Sequence, residues 1–259
     1  MLQATPLDSR PPVLNMASVN KTFGRDIVAL DGMTLSVNQG DFISLLGPSG
    51  CGKSTALRLI SGLMSPTAGR IEWAGGQGQD DLGIVFQEPT LMPWATVAQN
   101  VYLPFRLRGQ PYGSVKDEIL EVLRLVGLDQ FQSAYPRELS GGMKMRVSIA
   151  RAMATHPRLI LMDEPFAALD EITRHKLNND LLELKAKIGC TVIFVTHSVW
   201  ESVFLSDRII VMAARPGRVI EELHVDAPYP RGEEFRTSAE YAGYCRAASD
   251  ALHRAMGDR

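Results

Sequence analysis

The chain has 259 residues, 45% hydrophobic and 22% charged, which suits one large α/β domain or a domain with an inserted lobe. A formal net charge of −2 gives no electrostatic footprint for nucleic acid. No apolar run approaches the roughly 20 residues that span a bilayer, and the first residues lack the features of a signal peptide. The 3 cysteines show no metal-ligand spacing. We therefore predict a soluble cytoplasmic protein with reduced thiols and no nucleic-acid partner.

The first fifty residues predict short strands and one buried strand. Residues 1–12 are rich in proline and polar side chains and are expected to form a loose leader. Residues 13–37 alternate between apolar and polar side chains, which predicts short strands joined by a turn at 24–26. The apolar run 42–46 predicts a further strand, and the helical pattern 56–60 follows a glycine-rich segment.

That glycine-rich segment fits the phosphate-binding pattern G-x-x-x-x-G-K-[ST] at every fixed position. It comprises Gly47, Pro48, Ser49, Gly50, Cys51, Gly52, Lys53 and Ser54, and Thr55 follows it. Glycines let successive backbone N–H groups converge on phosphates, and the helix N-terminus adds partial positive charge. In such a loop Lys53 reaches the β- and γ-phosphates of a nucleotide and the Ser54 hydroxyl ligates Mg²⁺. Cys51 needs only to be small there.

The rest of the chain alternates strands with helical patterns, which predicts a mostly parallel sheet. Buried parallel strands are expected at 82–86, 159–162 and 191–195, followed by strands at 208–213 and 219–225. Between them, a helix is expected to start at a capping box at Ser114 and to end at Gly127. Another apolar stripe predicts a second helix and comprises Leu177, Leu181, Leu184 and Ile188.

Two stretches carry helical signals without a convincing strand. The first, at about 88–156, predicts a helical lobe inserted into the α/β core. The second runs from residue 233 to the end, with its apolar side at Tyr241, Tyr244, Ala248, Ala251, Leu252 and Ala255. The terminal helix either closes the core, the interpretation we favour, or forms an interface.

Two further motifs could complete a nucleotide site. Asp163 and Glu164 follow the apolar run 159–162, so a stiff strand would aim Asp163 at a metal ion, and Glu164 could take a proton from an attacking water. Ser140, Gly141 and Gly142 precede a helical pattern. Small residues there expose the first N–H groups of the helix, which could hold a γ-phosphate.

Together these motifs resemble the nucleotide-binding subunit of ATP-binding cassette (ABC) transporters. The resemblance covers residues 13–225, the expected ATPase domain, with 226–259 as a tail. It implies a P-loop NTPase core with a mostly parallel sheet, an N-terminal antiparallel β subdomain and an inserted helical subdomain. It also implies four roles: adenine stacking by Phe23, Mg²⁺ and water contact by Gln87, a D-loop containing Asp170, and a switch histidine at His197.

The sequences of residues 86–97 and 143–146 are similar to those of the nitrate, sulfonate and taurine branch of bacterial importers, and the segment around Pro230 also resembles that branch. One departure from the family is the signature motif, where glutamine usually follows the two glycines. Here Met143 and then Met145 occupy positions that we expect to be polar. Because Ser140, Gly141 and Gly142 are intact, phosphate contact is still expected.

The family resemblance further implies a mechanism and partners. Two chains, expected to be identical, pair head to tail around two ATP, so each signature motif acts on ATP held by the other subunit. The pair drives membrane permease subunits, and indirectly serves a solute-binding protein, at the cytoplasmic face of the bacterial inner membrane. The groove beside Gln87, formed by residues 88–101, would receive the permease. Trp94 and Leu91 are its candidate contacts, although both could equally be core residues of the lobe.

Other uses of the cassette fit the sequence less well. A DNA-maintenance ATPase normally needs long coiled coils or a basic face, and neither is visible. A ribosome-associated protein would carry two cassettes. A regulatory protein with an inactive site disagrees with the intact Lys53, Asp163, Glu164 and His197. The transported substrate is not encoded in the sequence, and export is not strictly excluded.

Overall fold

The computed structural model describes residues 10–75, 81–229 and 231–257, so the expected leader lies almost wholly outside the described residues, as does Pro230. The strands are β1 (Pro12–Phe23), β2 (Ile27–Asn38), β3 (Phe42–Leu46), β4 (Ala68–Trp73), β5 (Leu82–Val85), β6 (Leu159–Asp163), β7 (Thr191–Thr196), β8 (Arg208–Ala213) and β9 (Arg218–His224). The helices are α1 (Lys53–Ile60), α2 (Val97–Leu107), α3 (Tyr112–Leu125), α4 (Gly141–Met153), α5 (Glu171–Ile188), α6 (Val199–Leu205), α7 (Glu233–Arg236) and α8 (Ala239–Gly257).

The strands form two sheets. An antiparallel sheet has the order β2-β1-β4, and a larger sheet has the order β5-β6-β7-β3-β8-β9, in which only β9 runs antiparallel. The predicted fold class, with a mostly parallel sheet and an N-terminal antiparallel part, is confirmed. Two details differ: β1 and β2 are long strands rather than short ones, and β4 was not predicted. Glycine and charge interrupt the apolar pattern of β4, which has no fully buried residue.

The parallel sheet separates two hydrophobic cores. The first, the core beneath the helices, includes Phe42 and Leu46 of β3 together with residues of α2 to α6 and α8. The second includes Ile43 and Leu45 of β3 together with residues of the antiparallel sheet and α1. Successive side chains of a strand point to opposite faces, so a strand buried on both sides must be apolar throughout. This explains why β3, β6 and β7 read as continuous apolar runs.

Residues 88–156 contain α2, α3 and α4 and no strand, as predicted. The predicted capping box at Ser114 is wrong. Helix α3 begins two residues earlier, its N-cap is Pro111, and the Ser114 hydroxyl donates to the Pro111 carbonyl. Pro111 adopts an extended conformation, which is compatible with the N-cap of a helix. Ser114 therefore lies inside the first turn, where its hydroxyl bonds back to the backbone instead of capping the helix. The helix ends before Gly127, as predicted.

The C-terminal helices close the fold. One face of α8 is buried, with Tyr241, Cys245, Ala248, Ala251 and Ala255 on it, and these residues belong to the core beneath the helices. The Tyr241 hydroxyl also donates to the Trp200 carbonyl at 2.9 Å, which ties α8 to α6. This packing supports the closing-helix interpretation of the tail.

Asp41, at the junction of the two sheets, is fully buried and offers a test of stability. It accepts hydrogen bonds from Arg10, from the Asn38 amide at 2.9 Å and from Arg208 at 3.0 Å. We expect Asp41→Asn to lower the free energy of unfolding by about 1.5–3 kcal/mol, because it removes a buried carboxylate that accepts charged hydrogen bonds, while Arg208 keeps its ion pair with Glu222. Urea unfolding would measure this. As a control, Glu72→Gln at the exposed Arg70–Glu72 pair should change the value by less than about 1 kcal/mol, and an equal loss in both variants would contradict the assignment.

Candidate nucleotide site

The sheet register brings the predicted site residues to one edge. Leu46, the last residue of β3, lies opposite Thr196 of β7, and Asp163 of β6 lies opposite Val195. The loop after β3, the acidic pair after β6 and His197 after β7 therefore meet at the carboxyl ends of three adjacent parallel strands. Ligands of open α/β sheets bind at this edge.

The loop after β3 is shaped by glycine. Gly52 has φ +93°, and a Cβ there would lie 2.6 Å from the Ala29 carbonyl oxygen, so only glycine fits. Helix α1 starts at the next residue. A cavity of about 240 Å³ opens beside this helix start, lined mainly by Ser49, Gly50, Gly52, Lys53, Ser54 and Thr55. Backbone N–H groups at such a helix start favour an anion.

Lys53 is held inside the loop. Its side chain is only 5% exposed, and Nζ donates to the Gly47 carbonyl at 2.7 Å and to the Pro48 carbonyl at 3.1 Å. Nζ also lies 3.9 Å from Glu164 Oε1. Lys53 thus lines the cavity without a hydrogen-bonded ion pair, which leaves the charge of its ammonium group for an incoming anion.

Ser54 and Asp163 present oxygen atoms side by side. The Ser54 hydroxyl donates to Asp163 Oδ1 at 3.0 Å. Burial raises the pKa of the Asp163 carboxyl, and the hydrogen bond from Ser54 opposes that rise. A bound cation would favour the ionised form of Asp163 and offset the cost of burying it.

Glu164 and His197 form a second pair. Glu164 Oε2 lies 3.1 Å from His197 Nδ1, and Glu164 lines the same cavity as Lys53. The backbone of Glu164 has φ +46°, an uncommon conformation for a non-glycine residue, and its amide donates to the Val195 carbonyl at 3.0 Å. Strained backbone of this kind clusters at functional sites. The carboxylate is therefore placed between a fixed cation and an imidazole.

Phe23 and the signature residues lie outside the lining of this cavity. Phe23 ends β1 with its ring partly exposed, and the Lys21 ammonium lies 5.4 Å from the ring centroid. Ser140 is the exposed N-cap of α4, where its hydroxyl accepts from the Met143 amide at 3.3 Å. The hydroxyl and the helix N-terminus are thus presented to solvent.

The segment predicted to form the D-loop adjoins α4, which begins at the predicted signature residues. Asp170 caps α5 by accepting from the Thr173 amide at 3.0 Å, and this hydrogen bond lowers the pKa of its carboxyl. A Cβ on Gly142 would lie 2.8 Å from the Thr173 methyl group, so glycine permits the close approach of α4 to α5. Neither Met143 nor Met145 of α4 lies at a polar position, which corrects that prediction. Met145 is buried in the core and Met143 packs against it.

Two residues that organise the Gln87 segment were missed by sequence reasoning. Gln87 itself is exposed just beyond β5. Arg151 of α4 donates to the Pro89 and Thr90 carbonyls at 3.0 and 2.9 Å. Asn100 is fully buried, donates to the Met92, Ala95 and Thr96 carbonyls of the loop before α2, and accepts from the Met92 amide at 2.8 Å. The Arg151 contacts span 61 to 62 residues, and the Asn100 contacts span 4 to 8, but a lone arginine or asparagine on a helix gives no sequence signal for either.

The residues present fit Mg²⁺. Within residues 10–75, 81–229 and 231–257, no cluster of three His, Cys, Asp or Glu side chains could hold a metal. Mg²⁺ is commonly held by one or two protein oxygens together with substrate phosphates and water. Ser54 and Asp163 supply two adjacent oxygen atoms next to the cavity that the loop after β3 lines.

Comparison with known proteins gives the family. The ABC transporter family model matches residues 30–167, and an ABC transporter ATP-binding protein of Methanocaldococcus jannaschii is 47% identical over 90% of this chain and 87% of its own length. The chain therefore belongs to the ABC transporter ATP-binding family, whose members are ATPases. The nitrate import protein NrtD of Synechocystis sp. is 43% identical over 83% of each chain. The taurine import protein TauB of Rhizobium johnstonii is 44% identical over 79% of each chain.

Solved structures agree on the fold. CbiO1 from Clostridium perfringens, part of an ABC transporter complex, matches with a TM-score of 0.76 at 27% identity over 83% of this chain and 89% of its own. A dimeric bacterial ABC transporter cassette matches with a TM-score of 0.72 at 33% identity over 83% of this chain and 100% of its own. The predicted resemblance to the nitrate, sulfonate and taurine branch is confirmed by the named import relatives.

Proposed function

We propose that the protein is the ATP-hydrolysing subunit of an importer for a small solute, in the group that takes up nitrate, sulfonates, taurine or related metabolites. The observation that carries the proposal is the convergence of Lys53, Ser54, Asp163, Glu164 and His197 at one sheet edge. The import relatives favour small anionic or zwitterionic solutes.

Each part of the site has a proposed role toward ATP. The loop 47–55 and Lys53 hold the phosphates, Phe23 stacks on adenine, and Ser54, Asp163 and Gln87 hold Mg²⁺. The metal, when bound, neutralises charge that develops on the phosphates. Glu164 accepts a proton from the attacking water, since it is the carboxylate that faces the cavity, and His197 orients it through the 3.1 Å contact.

The signature motif is proposed to act on a second subunit. Ser140 is exposed and is absent from the lining of its own chain's phosphate cavity, so a γ-phosphate that it contacts must come from elsewhere. We propose a head-to-tail homodimer with two ATP in the interface, in which Asp170 of the D-loop also lies. A dimeric cassette among the solved structures supports this arrangement. Hydrolysis removes the bridging phosphate and lets the dimer open.

The dimer can be tested with an isosteric pair of substitutions in a Glu164→Gln background. Asn and Asp both cap helices well, so Ser140→Asn and Ser140→Asp should preserve α4 equally. Only Asp places a negative charge beside the γ-phosphate of the other subunit. We expect sedimentation velocity with ATP to show a dimer for Asn and a dimer at least about tenfold weaker for Asp, the effect of about 1.4 kcal/mol. Equal dimerisation of the two variants would contradict the assignment.

We further propose that the ATPase sits at the cytoplasmic face of the bacterial inner membrane and contacts permease subunits, which in turn receive solute from a binding protein. None of the described helices is long and apolar enough to cross a membrane. Trp94 is 76% exposed in the loop that Asn100 holds, which favours a contact role. Leu91 packs against the core and is better explained as part of the lobe.

The transport role predicts that permease subunits, reconstituted with this protein in lipid vesicles, stimulate its ATPase activity. Trp94→Ala should reduce that stimulation while leaving the activity of the isolated protein unchanged, because Trp94 lies outside the cavity lining. Stimulation by DNA or ribosomes, with none by permease, would instead indicate a cassette ATPase acting outside transport.

A further inference from the structure

A network of polar side chains lies around the backbone of the turn that carries His197. The Thr196 hydroxyl, on the last residue of β7, donates to Glu201 Oε2 at 2.5 Å and accepts from the Ser198 amide at 3.0 Å. One side-chain oxygen atom therefore joins the residues on either side of His197 to the first turn of α6. Thr196 and Glu201 are 2% and 7% exposed, so these hydrogen bonds are largely shielded from water.

The Glu201 carboxylate is held from two further directions. The Ser198 hydroxyl caps α6 by accepting from the Glu201 amide at 3.3 Å. Arg174 of α5 approaches from the other side, with its Nε 3.8 Å from Glu201 Oε1, and its Nη2 donates to the Leu169 carbonyl at 2.9 Å. The carboxylate thus lies between the end of β7 and the start of α5, while its backbone belongs to the helix that follows His197.

The placement of this carboxylate costs free energy. Burial raises the pKa of the Glu201 carboxyl, and the hydrogen bond from Thr196 and the charge of Arg174 oppose that rise. A buried, paired charge adds little to stability, because desolvation offsets the attraction to its partners. A satisfied buried network does hold its members in one arrangement. Glu201 therefore contributes more to the geometry of the turn than to the stability of the fold.

The ring of His197 depends on that geometry. Its side chain is 57% exposed, so packing constrains it little. Nδ1 lies 3.1 Å from Glu164 Oε2, and a displacement of the turn by about 1 Å would take the two atoms out of hydrogen-bond range. The backbone of the turn must therefore be held in place for the contact to persist.

We propose that Glu201 is a positioning residue for His197, acting through the Thr196 hydroxyl. The network holds the turn beside Glu164, so the imidazole stays within reach of that carboxylate. The placement of the ring follows from these contacts alone, whereas an effect on ATP turnover rests on the proposed function, in which His197 orients Glu164.

Histidine ring signals test the placement without reference to activity. The chain has 5 histidines, and NMR of the full-length protein labelled with ¹⁵N-histidine reports on their rings, assigned by single His→Gln substitutions. We expect the His197 signals to move in Thr196→Val, which removes the hydroxyl, and to stay in place in Thr196→Ser, which keeps it. His156, after α4, and His253, in α8, are internal references. Unmoved His197 signals in Thr196→Val would overturn the proposal.

Thr191→Val is a matched control on the same strand. Thr191 begins β7, is 1% exposed, and its hydroxyl accepts from the Gly40 amide at 3.0 Å. It lies roughly 16 Å from Thr196 along the strand. We expect urea unfolding to show a comparable loss of stability, because each variant removes the hydrogen bonds of one buried hydroxyl, but no movement of the His197 signals. Equal movement in both valine variants would indicate a general structural effect and overturn the proposal.

Glu201 itself is tested by two substitutions of similar size. Glu201→Gln keeps an oxygen atom that can accept from Thr196, whereas Glu201→Met does not. Because both remove the charge that faces Arg174, their comparison isolates the hydrogen bond. We expect the His197 signals to stay close to their wild-type positions in Glu201→Gln and to move in Glu201→Met. Wild-type signals in Glu201→Met would contradict the assignment.

Turnover shows whether Thr196 acts through His197. Thr196→Val should lower kcat for ATP by about 10–10²-fold, the effect of a misplacement of about 1 Å, and change KM by less than about threefold. The KM is spared because His197 lies outside the lining of the phosphate cavity. Once His197→Ala has removed the ring, adding Thr196→Val should cause no further loss. Multiplicative losses in the double variant would overturn the route through His197.

The positioning role and the proposed function fail in different ways. If His197→Ala turns over ATP at the wild-type rate, the role of His197 in hydrolysis is removed, whereas displaced ring signals in Thr196→Val still support the placement of the ring by the network. If His197→Ala is slow but Thr196→Val neither moves the ring nor slows turnover, the positioning role alone is removed.

Discussion

Glu164→Gln is expected to bind ATP normally and to hydrolyse it about 10²–10⁴-fold more slowly, the contribution usual for a general base. The amide keeps the size of the side chain but cannot accept the proton from water. The backbone conformation at this position (φ +46°) and the hydrogen bond from its backbone N–H to the Val195 carbonyl do not depend on the side-chain carboxylate. Phosphate release at saturating ATP measures the rate, and nucleotide retention on a filter measures binding.

The same variant tests the order of events in the proposed cycle. Without hydrolysis the γ-phosphate stays in place, so ATP should hold Glu164→Gln as a dimer while the wild type reopens. Glu183→Gln removes a carboxylate from the exposed face of α5 and serves as the control for a general loss of charge. Near-normal turnover in Glu164→Gln would remove the base assignment, even if the dimer forms.

Sequence reasoning predicts which side chains meet at one edge of the sheet, because a phosphate-binding loop and an apolar strand constrain both residue type and spacing. The phosphate loop needs glycine where φ is positive, as at Gly52, and needs Lys53 one residue later. The strands that aim Asp163 and His197 must be apolar on both faces, so their ends are visible as a sudden change from apolar to polar side chains. Parallel strand register then places these ends together without further information.

Other features depend on contacts that have no local pattern. Strand β4 is formed by pairing with β1 rather than by its own apolar side chains, so its sequence gives only a weak signal. The role of Arg151 in holding the loop after Gln87 depends on a contact 61 residues away. The cavity that residues of α5, α6 and α7 line forms only when these helices pack together.

Lys53→Ala is expected to reduce ATP turnover by about 10²–10³-fold, comparable to the loss of one donor that stabilises developing negative charge. Among the described residues that line the cavity, no other is a lysine or arginine, so the Lys53 ammonium group is the charged donor there. ATP affinity should also fall, by about tenfold to a hundredfold, because a hydrogen bond to a charged group contributes about 1.5–3 kcal/mol.

Removing Lys53 also leaves the Gly47 and Pro48 carbonyls without their donor, so the loop itself could change shape. Lys53→Arg separates the two effects, since it keeps a cation but cannot reproduce the compact geometry of an ammonium within the loop. We expect Arg to retain more ATP affinity than Ala while remaining defective in turnover. Lys176→Ala, on the exposed face of α5, is the control for lost positive charge. Unchanged ATPase kinetics in Lys53→Ala would contradict the phosphate-loop role, whatever the control shows.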